Sequence, residues 1–342
     1  MAETTKVVPL TCHGHSRPVT HLSFSSVGDD DQYYLISACK DNNPMLRDGV
    51  TGDWIGTFIG HKGAVWQARL SSDATLAATA AADFSAKVWD THSGVALHTL
   101  QHAHIVRAVA FPNQPSPQIL ATGGAEKKLR IFDLSRSSGS PSPTGSAPPT
   151  TDTSSAAPSY EIGPGVHQGT IKSIVWASDL NVLITASDDK AIRWWDLRTR
   201  SPITTYTLDG LPGSCELDPM FAGSPTLASA GSSTLSVAAG KTAYFFDSSR
   251  PGELIKSIKT PYELVSIALH SLERKFITGS TSDTWVRVWD FDTEEVVETG
   301  KGHHGPVWSV AFSPDGKLYA TGSEDGTIKL WKFTAGGYGL WR

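Results

Sequence analysis

The chain has 342 residues, 39% of them hydrophobic and 18% charged, with 31 Gly, 11 Trp and a formal net charge of −5. That composition is globular, and its negative balance argues against wholesale coating of nucleic acid while leaving room for a local basic patch. Three scattered cysteines (Cys12, Cys39, Cys215) read as reduced thiols; with no secretion-type apolar run at the start and nothing near the ~18 apolar residues of a membrane span, a soluble cytoplasmic and nuclear protein is expected.

In chain order, residues 6–11 come first, ahead of Gly14-His15 and outside any unit of their own. Seven segments follow, ending at Arg47-Asp48, Trp89-Asp90, Phe132-Asp133, Trp195-Asp196, Phe246-Asp247, Trp289-Asp290 and Trp331-Lys332. Their spacings are 42, 43, 63, 51, 43 and 42 residues, four of which match the ~40–45 residue period of WD repeats. The 63 is explained by residues 137–158, a Ser/Pro/Thr-rich insert between the third and fourth repeats that has nothing to bury and reads as disordered. Its Ser140-Pro141 and Ser142-Pro143 suit proline-directed phosphorylation, although a tolerated surface insertion is the simpler reading. The 51 has no such cause, and the fifth unit, 206–247, is expected to have irregular loops.

The last unit shows the internal pattern best. Val307-Trp308-Ser309-Val310-Ala311-Phe312, the turn Ser313-Pro314-Asp315-Gly316, Lys317-Leu318-Tyr319-Ala320-Thr321-Gly322, and Thr327-Ile328-Lys329-Leu330-Trp331 alternate strand and turn chemistry. The expectation is an all-β fold, a seven-bladed WD-repeat β-propeller filling residues 1–342, each blade a four-stranded antiparallel sheet. The last unit lacks sequence for its outermost strand, so residues 6–11 are expected to supply it and close the ring. The aromatic tail Tyr338-Gly339-Leu340-Trp341 is expected to fold back on the propeller.

Several units carry residues that invite a hydrolase reading. These are His61, Thr79, Asp83 and Trp89; His167, Thr185, Asp189 and Trp195; and His303, Thr321, Asp325 and Trp331. The first unit offers His15, Ser37 and Asp41, with Arg47 in place of tryptophan. One active site does not need several copies. The expected role is therefore structural: Asp accepts from imidazole, imidazole from hydroxyl, and hydroxyl from indole N–H. Catalysis by one set would require that set to be open to solvent, with a perturbed histidine.

No metal and no cofactor is expected. Cys12-His13-Gly14-His15 and the histidines His102, His104, His303 and His304 lack zinc-site spacing, and Gly336-Gly337 lacks the lysine of a phosphate loop. Arg17, Lys62, Arg107 and Lys172 follow the Gly-His loops. They form either a positive collar around a channel mouth, suited to an acidic peptide or an RNA backbone, or isolated solvated charges. Trp66 and Trp308 read as core packing, with interface anchoring as the alternative.

The chain resembles the serine/threonine kinase receptor-associated protein family, also called unr-interacting protein. Pro9-Leu10-Thr11-Cys12, Leu35-Ile36-Ser37-Ala38-Cys39-Lys40-Asp41 and Gly52-Asp53-Trp54-Ile55-Gly56-Thr57-Phe58 carry the resemblance, with Gly60-His61-Lys62-Gly63-Ala64-Val65-Trp66 and the closing Tyr338-Gly339-Leu340-Trp341. It implies a scaffold without a catalytic centre. It also implies association with the survival-of-motor-neuron complex, which loads Sm proteins onto spliceosomal small nuclear RNAs, and in animals with transforming growth factor-β receptors. RNA would then be met indirectly, by a monomeric propeller within a larger complex. Subunit i of translation initiation factor three, a similar propeller, is the alternative and implies initiation-factor partners.

Overall fold

A computed structural model describes residues 8–28, 30–135, 157–218 and 233–341. Its strands form seven four-stranded sheets, arranged as the blades of a propeller. The fold is thus the seven-bladed β-propeller that the repeat period predicts. In blade two the strands run outward as Val65–Leu70, Leu76–Ala81, Ser85–Asp90 and Ala96–Gln101. Burial is greatest on the second strand and falls outward from it. The second strand is buried almost throughout because neighbouring blades cover both its faces, whereas the outermost strand is mostly exposed.

Seven apolar clusters hold the ring. The one joining blades one and two takes Ile36 and Leu46 from the first and Val65, Ala77 and Trp89 from the second. Blades four and five share Ile184, Trp194, Val237, Tyr244 and Phe246. A blade therefore completes its core only against its neighbours, which is why a repeat of this kind must close into a ring. Polar stitching follows the same path around the axis. Thr20 donates its hydroxyl to the Val65 carbonyl at 2.7 Å, and Gln67 accepts from the Val109 amide at 2.8 Å.

The N-terminal strand closes the circle. Leu10–Cys12 pairs antiparallel with the third strand of blade seven, Leu10 opposite Leu330 and Cys12 opposite Ile328. The pairing lies one residue beyond the expected 6–11 at its C-terminal end, because Cys12 is the side chain buried between blades seven and one. The tail folds back across this seam. Trp341 Nε1 donates to the Val8 carbonyl at 2.9 Å, and Tyr338 contacts Tyr33 and Asp315.

The insert begins after the third strand of blade three, Leu129–Asp133, and ends before its outermost strand, Ser159–Ile162. Its final residues are not part of a disordered stretch. Ala157 is buried against Phe111, Leu120 and Phe132, and the Pro158 carbonyl accepts from the Asp133 amide at 3.0 Å. Residues 136–156, including both Ser-Pro pairs, lie outside the described residues. In the fifth unit the extra length falls between Pro212–Leu217 and Thr234–Ala239, in a connection whose residues 219–232 also lie outside the described part. No helix among the described residues is long and apolar enough to cross a membrane.

Candidate functional site

In blade two, Asp83 accepts from His61 Nδ1 at 2.8 Å, Thr79 donates to His61 Nε2 at 2.7 Å, and Trp89 Nε1 donates to Thr79 at 2.8 Å. The tautomer is assigned from these partners. Blade seven repeats the chain, with Asp325–His303 at 3.1 Å, His303–Thr321 at 2.7 Å and Trp331–Thr321 at 2.9 Å. Asp83 and Asp325 each also take a backbone amide, from Lys62 and His304. Burial opposes the charge on Asp325, but hydrogen bonds from the Thr327 hydroxyl, the His304 amide and the Thr327 amide hold its carboxyl down to about 2. Gly63 is needed where the loop crosses the Asp83 turn, since a Cβ there would lie 2.7 Å from the Asp83 nitrogen.

Blade one ends the chain differently. His15 still bridges Asp41 at 2.9 Å and Ser37 at 2.8 Å. Arg47 is buried in the tryptophan position and donates to the Gly52 carbonyl at 3.0 Å and to the His13 carbonyl. The guanidinium thereby holds the Gly-His loop through its backbone instead of through the hydroxyl.

Blade four requires a correction. Asp189 does not accept from His167, because Arg193 stands between them, donating to Asp189 at 3.0 Å and to His167 Nδ1 at 3.2 Å. His167 Nδ1 must then be the acceptor, so its Nε2–H donates to Thr185, 3.3 Å away, which also accepts from Trp195 at 2.8 Å. Burial first, and the Arg193 charge second, push His167 down to about 4.

Two further networks escaped the sequence reading. His102 lies 3.3 Å from Thr122 and 3.5 Å from Glu126, which is fixed by Arg130 at 2.7 Å. In blade six Tyr262 replaces histidine, 3.4 Å from Thr278, which accepts from Trp289 at 3.0 Å. Both hide behind shifted offsets: His102 precedes Thr122 by 20 residues where His61 precedes Thr79 by 18. A search allowing Glu for Asp, Tyr for His and a two-residue slip would have found them.

These sets cannot work as hydrolytic centres. The imidazoles of His15, His61 and His303 are sealed, with 1%, 0% and 0% of their side-chain surface exposed. The perturbed histidines of these sets, His167 and His303, are both buried, and burial shifts both toward weaker basicity. His15, Cys39 and Asp41 bring ligand-type atoms within 4.8 Å of one another. Each is already engaged, however: Cys39 Sγ faces the Arg17 carbonyl at 3.0 Å, and burial raises that thiol to about 12. A thiol held protonated is a poor metal ligand.

The channel mouth is built by one recurring irregularity. In every blade a β-bulge follows the first residue of the innermost strand, with shifts such as Val65/Gln67 and Val307/Ser309. The bulged residue loses its sheet partner and its side chain turns to the channel. In blades one to four these residues are Thr20, Trp66, Arg107 and Lys172. Gly213, Val265 and Trp308 complete the ring, and all seven line one cavity of about 150 Å³. Trp66 and Trp308 are thus rim residues and not core. The expected collar splits: Arg107 and Lys172 line the mouth, whereas Arg17 and Lys62 are exposed on the preceding loops and do not.

Cations cover the two indoles. Arg107 lies 3.7 Å over Trp66, and Lys40 lies 4.5 Å over Trp308 and 5.4 Å over Trp66. Lys172 is paired with Asp188 at 2.8 Å. Lys40 and Arg107 have no carboxylate within ion-pair reach among the described residues. The buried indole nitrogen of Trp66 has no hydrogen-bond partner among them either. Below the mouth Glu216 is gripped by Arg69 through two contacts of 2.7 Å and approached by His21 at 3.3 Å. Glu216 lines this cavity and also one of about 470 Å³ on its other side, so the pair floors the mouth.

The WD domain, G-beta repeat, matches residues 52–90, 94–133, 164–196 and 294–332. The serine-threonine kinase receptor-associated protein of Gallus gallus is 44% identical over 335 residues, covering 98% of this chain and 85% of the relative. That of Dictyostelium discoideum is 40% identical, covering 95% and 98%. The chain belongs to the serine-threonine kinase receptor-associated protein family. Eukaryotic translation initiation factor 3 subunit I of Culex quinquefasciatus is more distant, 29% identical over 96% of the chain. Membership in this receptor-associated protein family, on a WD propeller whose polar sets are sealed, makes the chain a scaffold or adaptor working through protein–protein contacts.

Proposed function

We propose that this scaffold serves the assembly of spliceosomal small nuclear ribonucleoproteins, as a monomeric propeller bound to Sm proteins and their survival-of-motor-neuron-type assembly factors. The carrying observation is the 40% identity to the Dictyostelium discoideum relative over nearly the whole of both chains. A family spread this widely fits a task tied to the spliceosome, which is far more general than receptor kinases of the transforming growth factor-β type. A receptor-adaptor role would be an addition in animals. No catalysis is assigned, RNA is met through its protein partners, and the expected location is cytoplasm and nucleus. A second reading, as an initiation-factor subunit, is favoured by the 29% identity to subunit I across 96% of the chain.

The test is purification of a tagged copy from native cells, with and without ribonuclease. Recovery of Sm proteins and assembly factors that persists after ribonuclease is the expected result. Stoichiometric initiation-factor subunits in their place would overturn the proposal and establish the second reading.

A further inference from the structure

We infer that the channel mouth seats an acidic side chain of a protein partner, held between Arg107 and Lys40 above the Arg69–Glu216 floor. This rests on reading the chain as a protein-binding scaffold and names the chemistry of one contact.

Three observations converge. The first is geometric. Seven bulges present one residue each, and the sector from Trp308 through Thr20 and Trp66 to Arg107 is aromatic and cationic, whereas Gly213 and Val265 leave the opposite side open. Where blade one offers only the short Thr20, Lys40 reaches across and lies over the indoles on both sides. A cavity of about 150 Å³ has room for a side chain but not for a drug-sized ligand. The paired floor stops a chain from threading through.

The second is charge. Cations elsewhere near the channel have carboxylates, Lys172 with Asp188 and Arg69 with Glu216. Lys40 and Arg107 have no carboxylate within ion-pair distance among the described residues; Asp188, already paired with Lys172, reaches Arg107 only through its field. Asp188 is taken up by Lys172, and Glu324 accepts from the Trp308 N–H at 3.4 Å, which leaves Lys40 and Arg107 as the cations of the mouth without an ion pair, so a carboxylate is the complementary group.

The third separates peptide from RNA. Single-stranded nucleic acid binds by stacking bases on free aromatic faces along a track of cations. Here Arg107 and Lys40 already lie over the Trp66 and Trp308 rings, and two unpaired cations make no phosphate track.

The full chain would be titrated by fluorescence anisotropy with a labelled hexaglutamate peptide, a labelled hexalysine peptide and a decauridine RNA. Hexaglutamate should bind, and Lys40→Ala and Arg107→Ala should each weaken it about tenfold. Arg198→Ala, far out on blade four and paired with its own Asp196, should leave binding unchanged. Melting curves confirm that each variant is folded. Hexaglutamate binding that ignores both mouth variants, its absence, or preferential decauridine binding would each overturn the inference. Failure here is distinct from failure of the assembly role. If Lys40→Ala/Arg107→Ala protein still recovers Sm proteins and their factors in full, the mouth is refuted and the scaffold stands. If hexaglutamate binds through Lys40 and Arg107 while no such factors are recovered, the mouth stands and the assembly role falls.

Discussion

Arg69 and Glu216 meet across the channel through two contacts of 2.7 Å, tying blade two directly to blade five. Neither side chain exposes as much as a fifth of its surface, at 16% and 19%. Burial penalises the carboxylate, yet the Arg69 charge and the His21 contact hold Glu216 down to about 2. With His21 of blade one 3.3 Å from the same carboxylate, the pair ties blades one and two to blade five across the ring.

Breaking one partner should therefore cost much more than removing both. Glu216→Gln leaves a buried guanidinium unpaired and should destabilise by roughly 3–5 kcal/mol, whereas Arg69→Met with Glu216→Leu should come close to the parent. Chemical denaturation of the two singles and the double measures the coupling. An additive result would show that the bridge does not act as a unit.

Acid should weaken the fold in two overlapping windows. Unfolded Glu protonates near its ordinary value of about 4.3, while folded Glu216 holds out to about 2, so its contribution is full above pH 4.3 and lost as pH falls toward 2. His167 has the same sign for a different reason. The unfolded imidazole charges near about 6.5 but the buried one not until about 4, so lowering pH between those values favours unfolding. Denaturant midpoints from pH 7 to pH 3 should fall, and Glu216→Gln should flatten only the lower window.

Arg193 sets the tautomer of His167. With Arg193→Met the imidazole should turn its Nδ1–H to Asp189, as His61 does to Asp83, and its pKa should rise from about 4. Nitrogen NMR of the labelled imidazole distinguishes protonated Nε2 from protonated Nδ1. An unchanged tautomer would mean that Thr185, and not Arg193, decides it.

The hydroxyl hubs should be expensive to remove. Thr79→Val leaves the Trp89 N–H and the His61 Nε2 without partners and should cost about 1–3 kcal/mol, with no cavity created. Thr122→Val in blade three should cost less, because Phe132 there has no N–H to strand. Thermal melts of the two variants provide the comparison.

Closure should be graded. Deleting residues 1–12 removes the strand opposite Ile328, Lys329 and Leu330 and unroofs the cluster between blades seven and one. A loss of roughly 3–5 kcal/mol is expected from three strand residues and the burial of Cys12. Trp341→Ala removes the contact to Val8 and part of that cluster, and should cost about 1–2 kcal/mol. Equal melting temperatures for parent and deletion would show that the ring does not depend on this seam.

The repeat, the blade number and the ring closure were legible in the sequence, because each blade buries its faces by the same local pattern. Trp89, Trp195 and Trp331 each lie ten residues beyond a partner threonine, and such fixed offsets survive in one dimension. Departures from the offset, as at His102 and Tyr262, broke the pattern without breaking the structure, since a small loop adjustment restores the contact. What only the tertiary structure decided is what faces the axis. The inner-strand bulges turn Trp66 and Trp308 from apparent core residues into the rim, and ring closure sets Arg69 against Glu216, 147 positions away. Arg193 likewise displaces Asp189 from His167 because the guanidinium fits between them. Local periodicity fixes how a blade folds, but side chains meeting across a closed ring are placed by geometry that no spacing along the chain encodes.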